Sequence, residues 1–428
     1  MPLQCFVDAF NIGTGAVAST VVRTGYGFQP KACLYWWSGR TESTTTFARK
    51  NLQMGAGMAS SATARACVTM LSQDTTTTMV TNRRHDAANV IACTTTSDTT
   101  DGSADLQSFD AGGQTLVITD QFTTNLRVHC LALGGTDLTN AIVVQFAGPG
   151  ANGNQDTTTV GFQPDALVLL SSIQDVASGT TQNFTGQLLF GLATGPSNQG
   201  VVALTDKDAS ADASTSRYSY GGECLASPND TATAVGRRAA FVSFLSNGFR
   251  LNWLEFSSAG FQYFALALKG GRYAVGNVVT STTINTTIPV TGLGFAPSGL
   301  WLMSAAAPVD VQATVRTQAT VAVGGATSPT NRACQGAVSE HAVATAVCAS
   351  STREDGCLEL LNSGSVSAGV VDVQSMDAGG FTLIMDVADV TTTKYVTYLA
   401  CGSTPVTVVP RSLDHSTVLQ AVTRARYF

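Results

Sequence analysis

Charge is what this sequence has least of. Charged residues are 12% of the 428, about half of the usual share of roughly 25%. The 23 basic and 29 acidic residues leave a net charge of −6, and no basic stripe interleaved with aromatics stands out. Nucleic-acid binding is therefore not expected. Long apolar runs are missing too: no stretch of about 18 such residues exists to cross a bilayer as a helix. The opening Met1 to Asp8 has neither a charged n-region nor an apolar h-region. The expectation is a chain made in a cytoplasm without a signal peptide.

Reactive chemistry is equally thin. Ten cysteines occur without a Cys-x-x-Cys pair, which argues against zinc or thioredoxin-like sites. Cys33 and Cys130 sit in apolar, strand-like runs and read as small buried hydrophobes; disulfides formed later in an oxidising exterior stay open. There is no Gly-x-Ser-x-Gly elbow, no His-Glu-x-x-His and no phosphate loop. The four histidines, His85, His129, His341 and His415, have no second histidine nearby. Glutamate is scarce at six residues, and Glu223 and Glu255 have no evident counterparts elsewhere. Asp98, Asp101 and Asp105, or Asp206, Asp208 and Asp212, could be calcium loops, but neither set has EF-hand spacing, and solvated acidic loops are commoner. No catalytic, cofactor or metal residue is expected.

What is abundant is Thr, Ser, Gly, Asn and Ala, with 44% hydrophobic residues. Thr44 to Thr46, Thr75 to Thr78 and Thr94 to Thr96 favour extended chain, because branching at Cβ suits strands. The length implies several domains, and a repeat shows where they lie. Gly27-Phe28-Gln29-Pro30, Gly161-Phe162-Gln163-Pro164 and Gly294-Phe295-Ala296-Pro297 each precede an apolar run, with Phe-to-Phe spacings of 134 and 133. In phase with them come Ser108 to Leu116, Ser243 to Leu251 and Ser375 to Leu383, centred on Asp-Ala-Gly-Gly or Ser-Asn-Gly. A closing strand follows in each copy, at Leu131 to Gly135, Leu266 to Gly271 and Tyr398 to Gly402.

The repeated residues have structural roles. Proline fixes φ and marks a turn entering a strand. Glycine supplies positive φ in the second turn. Phe249 to Trp253 alternates as a half-buried strand does. Long helical patterns are nearly absent; Ser416 to Arg424 is the nearest candidate. The fold expected is all-β: three tandem jelly-roll-like β-sandwich domains at 1–138, 139–272 and 273–404, with an arm at 405–428. Phe28, Phe162 and Phe295 are expected in equivalent buried positions. Tyr35-Trp36-Trp37, set against Leu169-Leu170-Ser171 and Trp301-Leu302-Met303, leaves Trp36 or Trp37 able to face outward as a glycan platform or subunit contact; a core position is the alternative. Arg411, Arg424, Arg426, Tyr427 and Phe428 in the arm are types enriched at interfaces.

The Gly-Phe-x-Pro strand, the Ser-Phe-x-x-x-Gly-Phe turn and the closing strand resemble the repeat unit of tailed-bacteriophage virion proteins: tail fibres, receptor-binding proteins and other exterior components. Unit 2 matches best, through Gly161, Phe162, Pro164, Asp165, Val168, Ser243, Phe244, Gly248 and Phe249. Units 1 and 3 depart at Lys31, Gln114, Ser298 and Met376. The resemblance implies a non-enzymatic exterior virion protein (capsid decoration, spike or tail-fibre component) that binds other virion proteins and copies of itself. Three fused units could imitate a trimer at a threefold or pseudo-threefold site. A carbohydrate-binding receptor module is the alternative, with a host surface glycan as partner. A polysaccharide depolymerase is the more distant one.

Overall fold

The computed structural model describes residues 2–41, 44–49, 51–229, 234–256, 260–308, 312–362, 366–388 and 391–403. Unit 1 holds eleven strands. They are β1 (Gln4–Ile12), β2 (Thr20–Thr24), β3 (Pro30–Trp37), β4 (Thr44–Arg49), β5 (Leu52–Ala59) and β6 (Arg65–Ser72), followed by β7 (Thr81–Asp86), β8 (Ile91–Thr94), β9 (Thr100–Asp110), β10 (Gly113–Asp120) and β11 (Leu126–Gly134). The same eleven recur from Asn140 to Lys269 and from Arg272 to Gly402. No helix occurs among the described residues. Of the threonine runs, the first lies in β4, whereas Thr75 to Thr78 and most of Thr94 to Thr96 fall in turns.

Each unit is a two-layer antiparallel sandwich. In unit 1 the small sheet has the order β2-β10-β9-β8, and the large one runs β1-β11-β3-β5-β6-β7. Neighbours along β3-β5-β6-β7 and β8-β9-β10 follow the chain up and down, so the jelly-roll likeness extends to the paired sheets and not to a demonstrated Greek-key order. The missing strand, β4, leaves its own unit. It pairs with Cys348–Arg353 of unit 3. Thr181–Asn183 of unit 2 pairs with β7 of unit 1, and Arg316–Thr317 of unit 3 pairs with Thr215–Tyr220 of unit 2. Every unit thus completes the sheet of another, and the exchange closes into a ring.

The two faces of each large sheet are buried differently. One packs on the small sheet and forms a separate core per sandwich, holding Trp37, Tyr35 and Phe122 in unit 1 and Trp253 and Phe249 in unit 2. The other faces the ring centre, where Trp36, Leu131, Val168, Phe264, Trp301 and Leu399 from all three units share one cluster. A strand apolar on both faces reads as an unbroken run, and this explains Cys33 to Trp37.

Gly27, Gly161 and Gly294 all have positive φ, at +76°, +81° and +74°, a conformation that favours glycine at the head of Gly-Phe-x-Pro. The other turn corrects the sequence reading: no residue from Asp110 to Gly113 has positive φ. Gly113 is needed for close approach instead. A Cβ there would lie 1.9 Å from the carbonyl oxygen of Arg23, and one at Gly248 or Gly380 would lie 1.8 Å from that of Thr157 or Val290.

Phe28 and Phe295 are buried, but Phe162 is half-exposed. The cause lies opposite. Phe28 covers Gly134 and Phe295 covers Gly402 so closely that a Cβ would come within 2.4 and 2.3 Å of the rings. Unit 2 has Lys269 at the matching position, one residue beyond the Ala166–Leu268 pair, and its Nζ bonds Asp165 at 3.0 Å. The glycine that the ring covers in units 1 and 3 is thus absent from unit 2.

Candidate functional site

The ring's axis is built from backbone. Thr75, Ala209 and Ala342 occupy one repeat position, and all three hold positive φ, at 63°, 53° and 56°, unusual for residues with a side chain. The bend lets each loop bond the next unit. Met79 donates to Ser210 O at 2.9 Å and accepts from Ala209 N at 2.9 Å; Ala213 does the same with Val343 (3.1 Å) and Ala342 (2.8 Å); Ala346 completes the circle with Thr76 (2.8 Å) and Thr75 (3.0 Å). Met79, Ala213 and Ala346 pack together on the axis.

A second circle uses side chains. The N–H of Thr81 donates to Asp208 Oδ1 at 2.8 Å, that of Thr215 to His341 Nδ1 at 3.1 Å, and that of Cys348 to Asp74 Oδ1 at 2.9 Å. Asp74, Asp208 and His341 are repeat equivalents, so the histidine does an aspartate's work. Its Nδ1 accepts, which requires the neutral ring with its proton on Nε2. Beside this circle Ser72 donates to Asp206 Oδ2. Burial pushes the Asp206 carboxyl up to about 6, against the hydroxyls of Ser72 and Ser339, its two repeat equivalents.

The units meet along three seams. Two are crossed by linkers; the third, between units 3 and 1, brings Ser403 to Leu3, with Oγ 3.5 Å from the Leu3 carbonyl. Here Arg127 donates to Glu354 Oε1 at 2.7 Å, and the buried His129 lies 3.5 Å from the same oxygen. His129 and Arg127 hold the Glu354 carboxyl down to about 2. Trp36 packs against Trp301 across this seam, ring centres 5.9 Å apart and planes tilted by 42°. Trp36 and Trp37 are thus both buried, at 1% and 0% exposure. Trp36 does face away from its own sandwich, but toward another unit, and neither ring can serve as a glycan platform. Pairing also shifts the alignment of this strand by one: Leu34 matches Trp301, and Trp36 matches Met303.

The seam between units 2 and 3 opens into a cleft of about 470 Å³. Asp165, Thr194 and Asn198 line it from unit 2, and Arg272, Tyr273 and Tyr398 from unit 3. Asp165 is already bonded by Lys269 and by the Gly270 N–H at 2.7 Å. The Tyr273 hydroxyl is buried and has no hydrogen-bond partner among the described residues.

The remaining suggested residues take structural positions. Arg238 lies between Glu223 and Glu255, donating to them at 3.0 and 3.1 Å, and Tyr218 donates to Glu223 at 2.9 Å. The two carboxylates are brought together, yet one shared guanidinium holds both. Asp105 pairs with Arg65 at 2.9 Å, Asp98 accepts from Asn82 at 3.1 Å and Asp101 from Thr123 at 2.6 Å. Among the described residues no three His, Cys, Asp or Glu side chains group to hold a metal. Nine of the ten cysteines are buried, and all are free. Arg411, Arg424, Arg426, Tyr427 and Phe428, with the rest of the arm and the helix candidate at 416–424, lie outside the described residues. No protein-family model matches the chain, and no curated protein matches it.

Proposed function

We propose that the chain is an exterior structural protein of a bacteriophage virion (a capsid decoration, spike or tail-fibre component) that presents a whole trimer's surface in one polypeptide. The observation that carries this reading is the closed ring of exchanged strands. A ring sealed in that way has the contact pattern of a strand-swapped homotrimer, and oligomers of this kind occupy threefold positions in symmetric assemblies. Fusion adds what a homotrimer lacks. Each of the three faces can be changed alone, which suits a site whose neighbours are not identical. The surface of Thr, Ser, Gly and Asn, poor in charge, fits attachment by shape and hydrogen bonding more than by field. The apolar residues and arginines of the segment 405–428 supply a handle for neighbouring virion proteins. The resemblance in the Gly-Phe-x-Pro and Ser-Phe-x-x-x-Gly-Phe motifs supports the same conclusion.

The test is negative-stain microscopy of purified virions labelled with antibody to this protein, for the intact chain and for a chain ending at residue 403. Label at discrete, symmetry-related positions, weaker for the shortened chain, is expected. Virions that carry neither label nor peptides of this chain would overturn the reading.

A further inference from the structure

We propose that Cys5 and Cys401 form a disulfide that locks the ring when the protein meets an oxidising small-molecule disulfide such as oxidised glutathione. The first and last strands of the ring hold the two residues, β1 in unit 1 and Tyr395–Gly402 in unit 3. They meet at the one seam that no linker crosses.

Strand β1 lies on the large sheet of unit 3 and is fixed on both sides of Cys5. Asn331 accepts the Val7 N–H at 2.9 Å and donates to the Val7 carbonyl at 2.7 Å, while Ser403 Oγ lies 3.5 Å from the Leu3 carbonyl. Between these points Cys5 sits on Gly299: a Cβ on that glycine would lie 2.6 Å from Cys5 Cβ and 2.9 Å from its Sγ. Cys401 is directly opposite Gly299 in the next strand, and Tyr273 flanks it on the other side. The side on which Cys401 lacks a neighbouring side chain is therefore the side that Cys5 fills. Opposed residues share a sheet face with Cβ positions about 4.5–5.5 Å apart, which puts the two cysteine Cβ atoms within about 8 Å of each other. A disulfide needs about 3.5–4.5 Å, and a small closing movement of the seam supplies the difference.

The repeat shows that the pair is peculiar to this seam. Between units 1 and 2 the equivalents of Cys5, Gly299 and Cys401 are Ala141, Ala32 and Leu133; between units 2 and 3 they are Tyr273, Ala166 and Leu268. Those seams are already joined by chain, at residues 135–139 and 270–271. The two cysteines, and the glycine that admits one of them, stand where the chain makes no connection. Access is particular too. Cys5 is the one cysteine of the ten that is not buried, so exchange starts there, whereas Cys33, Cys67, Cys93 and Cys130 are enclosed in the unit 1 sandwich.

Exchange runs in two steps. The Cys5 thiolate attacks one sulfur of oxidised glutathione, whose S–S bond breaks and releases a glutathione thiolate. The Cys401 thiolate then attacks Cys5 Sγ in the mixed disulfide, the second glutathione leaves and the Cys5–Cys401 bond forms. Two protein thiols are oxidised, one glutathione disulfide is reduced to two thiols, and the two protein protons end on the released glutathiones. Burial, with Cys401 nearby, pushes the Cys5 thiol up, and burial pushes Cys401 up to about 12. The thiolate is the attacking form, so the bond forms slowly at neutral pH and faster in alkali. It needs the closed ring and an oxidant, not a virion position.

The full chain, incubated with oxidised glutathione at about pH 9, then alkylated and digested, tests this by mass spectrometry. A linked Cys5–Cys401 peptide should appear, with two of the ten thiols lost to titration under denaturing conditions. On a non-reducing denaturing gel the oxidised monomer should run faster than the reduced one, because its unfolded chain is a closed loop, and dithiothreitol should reverse the shift. Cys5→Ala should abolish the linked peptide and the shift, and Cys401→Ala should stop at the glutathione adduct of Cys5. No linked peptide from the intact chain, a link between other cysteines in its place, or a Cys5–Cys401 link confined to dimers of the chain would each overturn the inference.

Discussion

The sandwiches of units 1 and 2 fill the same space with opposite chemistry. Unit 2 places Val160, Leu169 and Phe249 where unit 1 has Tyr26, Tyr35 and Gln114. Gln114 is fully buried, and a buried amide is tolerated only with partners. Tyr35 donates to its Oε1 at 2.5 Å, and its Nε2 donates to Tyr26 at 2.9 Å; Tyr26 in turn donates to Asp8 at 2.8 Å, where Arg23 closes the chain with two bonds of 2.8 Å. Unit 3 follows unit 2, with Leu293, Leu302 and Phe381. Polar and apolar residues therefore change as a set. A second site repeats the lesson in reverse: the bulge N–H groups of Leu106 and Val373 are met by Asp105 and Asp372, held by Arg65 and Arg332. In unit 2 the single neutral Gln199 accepts the Phe241 N–H at 2.7 Å, and no ion pair is needed.

The comparison breaks most sharply at Phe249. Phe249→Gln should destabilise the chain by at least about 3–5 kcal/mol, the usual loss for emptying a buried aromatic site, since Val160 and Leu169 offer the new amide nothing. In unit 1, Gln114→Phe alone should cost less, about 1–3 kcal/mol, because it strands the Tyr35 hydroxyl while Tyr26 keeps its bond to Asp8. Adding Tyr26→Val and Tyr35→Leu should recover most of that loss. Denaturant melts decide it; strictly additive effects would show that the three positions do not act as a set.

A middling difference is expected at the Gly-Phe-x-Pro turn. Phe28→Ala should cost about 3–5 kcal/mol and Phe162→Ala roughly half as much, because its ring is only partly buried. Equal losses in thermal melts would mean that partial burial does not weaken the ring's contribution.

The third comparison sets Asp206 against Ser72 and Ser339. Its carboxyl is raised from 3.8 to about 6 in the fold. A raised acid stabilises while protonated, so its contribution is complete below about pH 3.8 and is lost as pH rises through 6. Asp206→Asn, which mimics the protonated form, should be the more stable protein at pH 7.5 by on the order of 2–3 kcal/mol. The gap should close near pH 4. A constant gap from pH 4 to 7.5 would remove Asp206 from the acid response.

Local chemistry made much of this legible. The period stands in the sequence itself, and Pro30 at the start of β3 follows from a backbone rule that acts over a few residues; the positive φ read for the Asp-Ala-Gly-Gly turn falls instead on Gly27 and its equivalents. Burial of Phe28 was legible and that of Phe162 was not, although Lys269 already stood in the sequence where the other units have glycine. Asp74, Asp208 and His341 share the same period, but their differing types hide the shared task, which is to accept one backbone N–H. The exchange of β4 left no local mark. A strand records its two faces in its sequence, and says nothing of a partner 300 residues away. The cleft was hidden for the same reason: Asp165 and Arg272 meet only once units 2 and 3 have docked.

The ring also sets an order on synthesis. The edge of β7 leaves the ribosome unpaired, and its cover, Thr181–Asn183, about 100 residues later, follows after about 5–20 s at ordinary elongation rates of roughly 5–20 residues per second. β4 waits longest, since its partner Cys348–Arg353 is made near the end. Until then both stand as open templates for another chain. If β4 of one nascent chain reaches the third unit of a second, the contact is head-to-tail and need not close, and growth can continue without limit. Closure within the chain is first-order and capture by a neighbour is second-order, so crowding on a polysome favours tangled polymers, while dilution favours single rings. The final step of folding is a search for a strand made among the first.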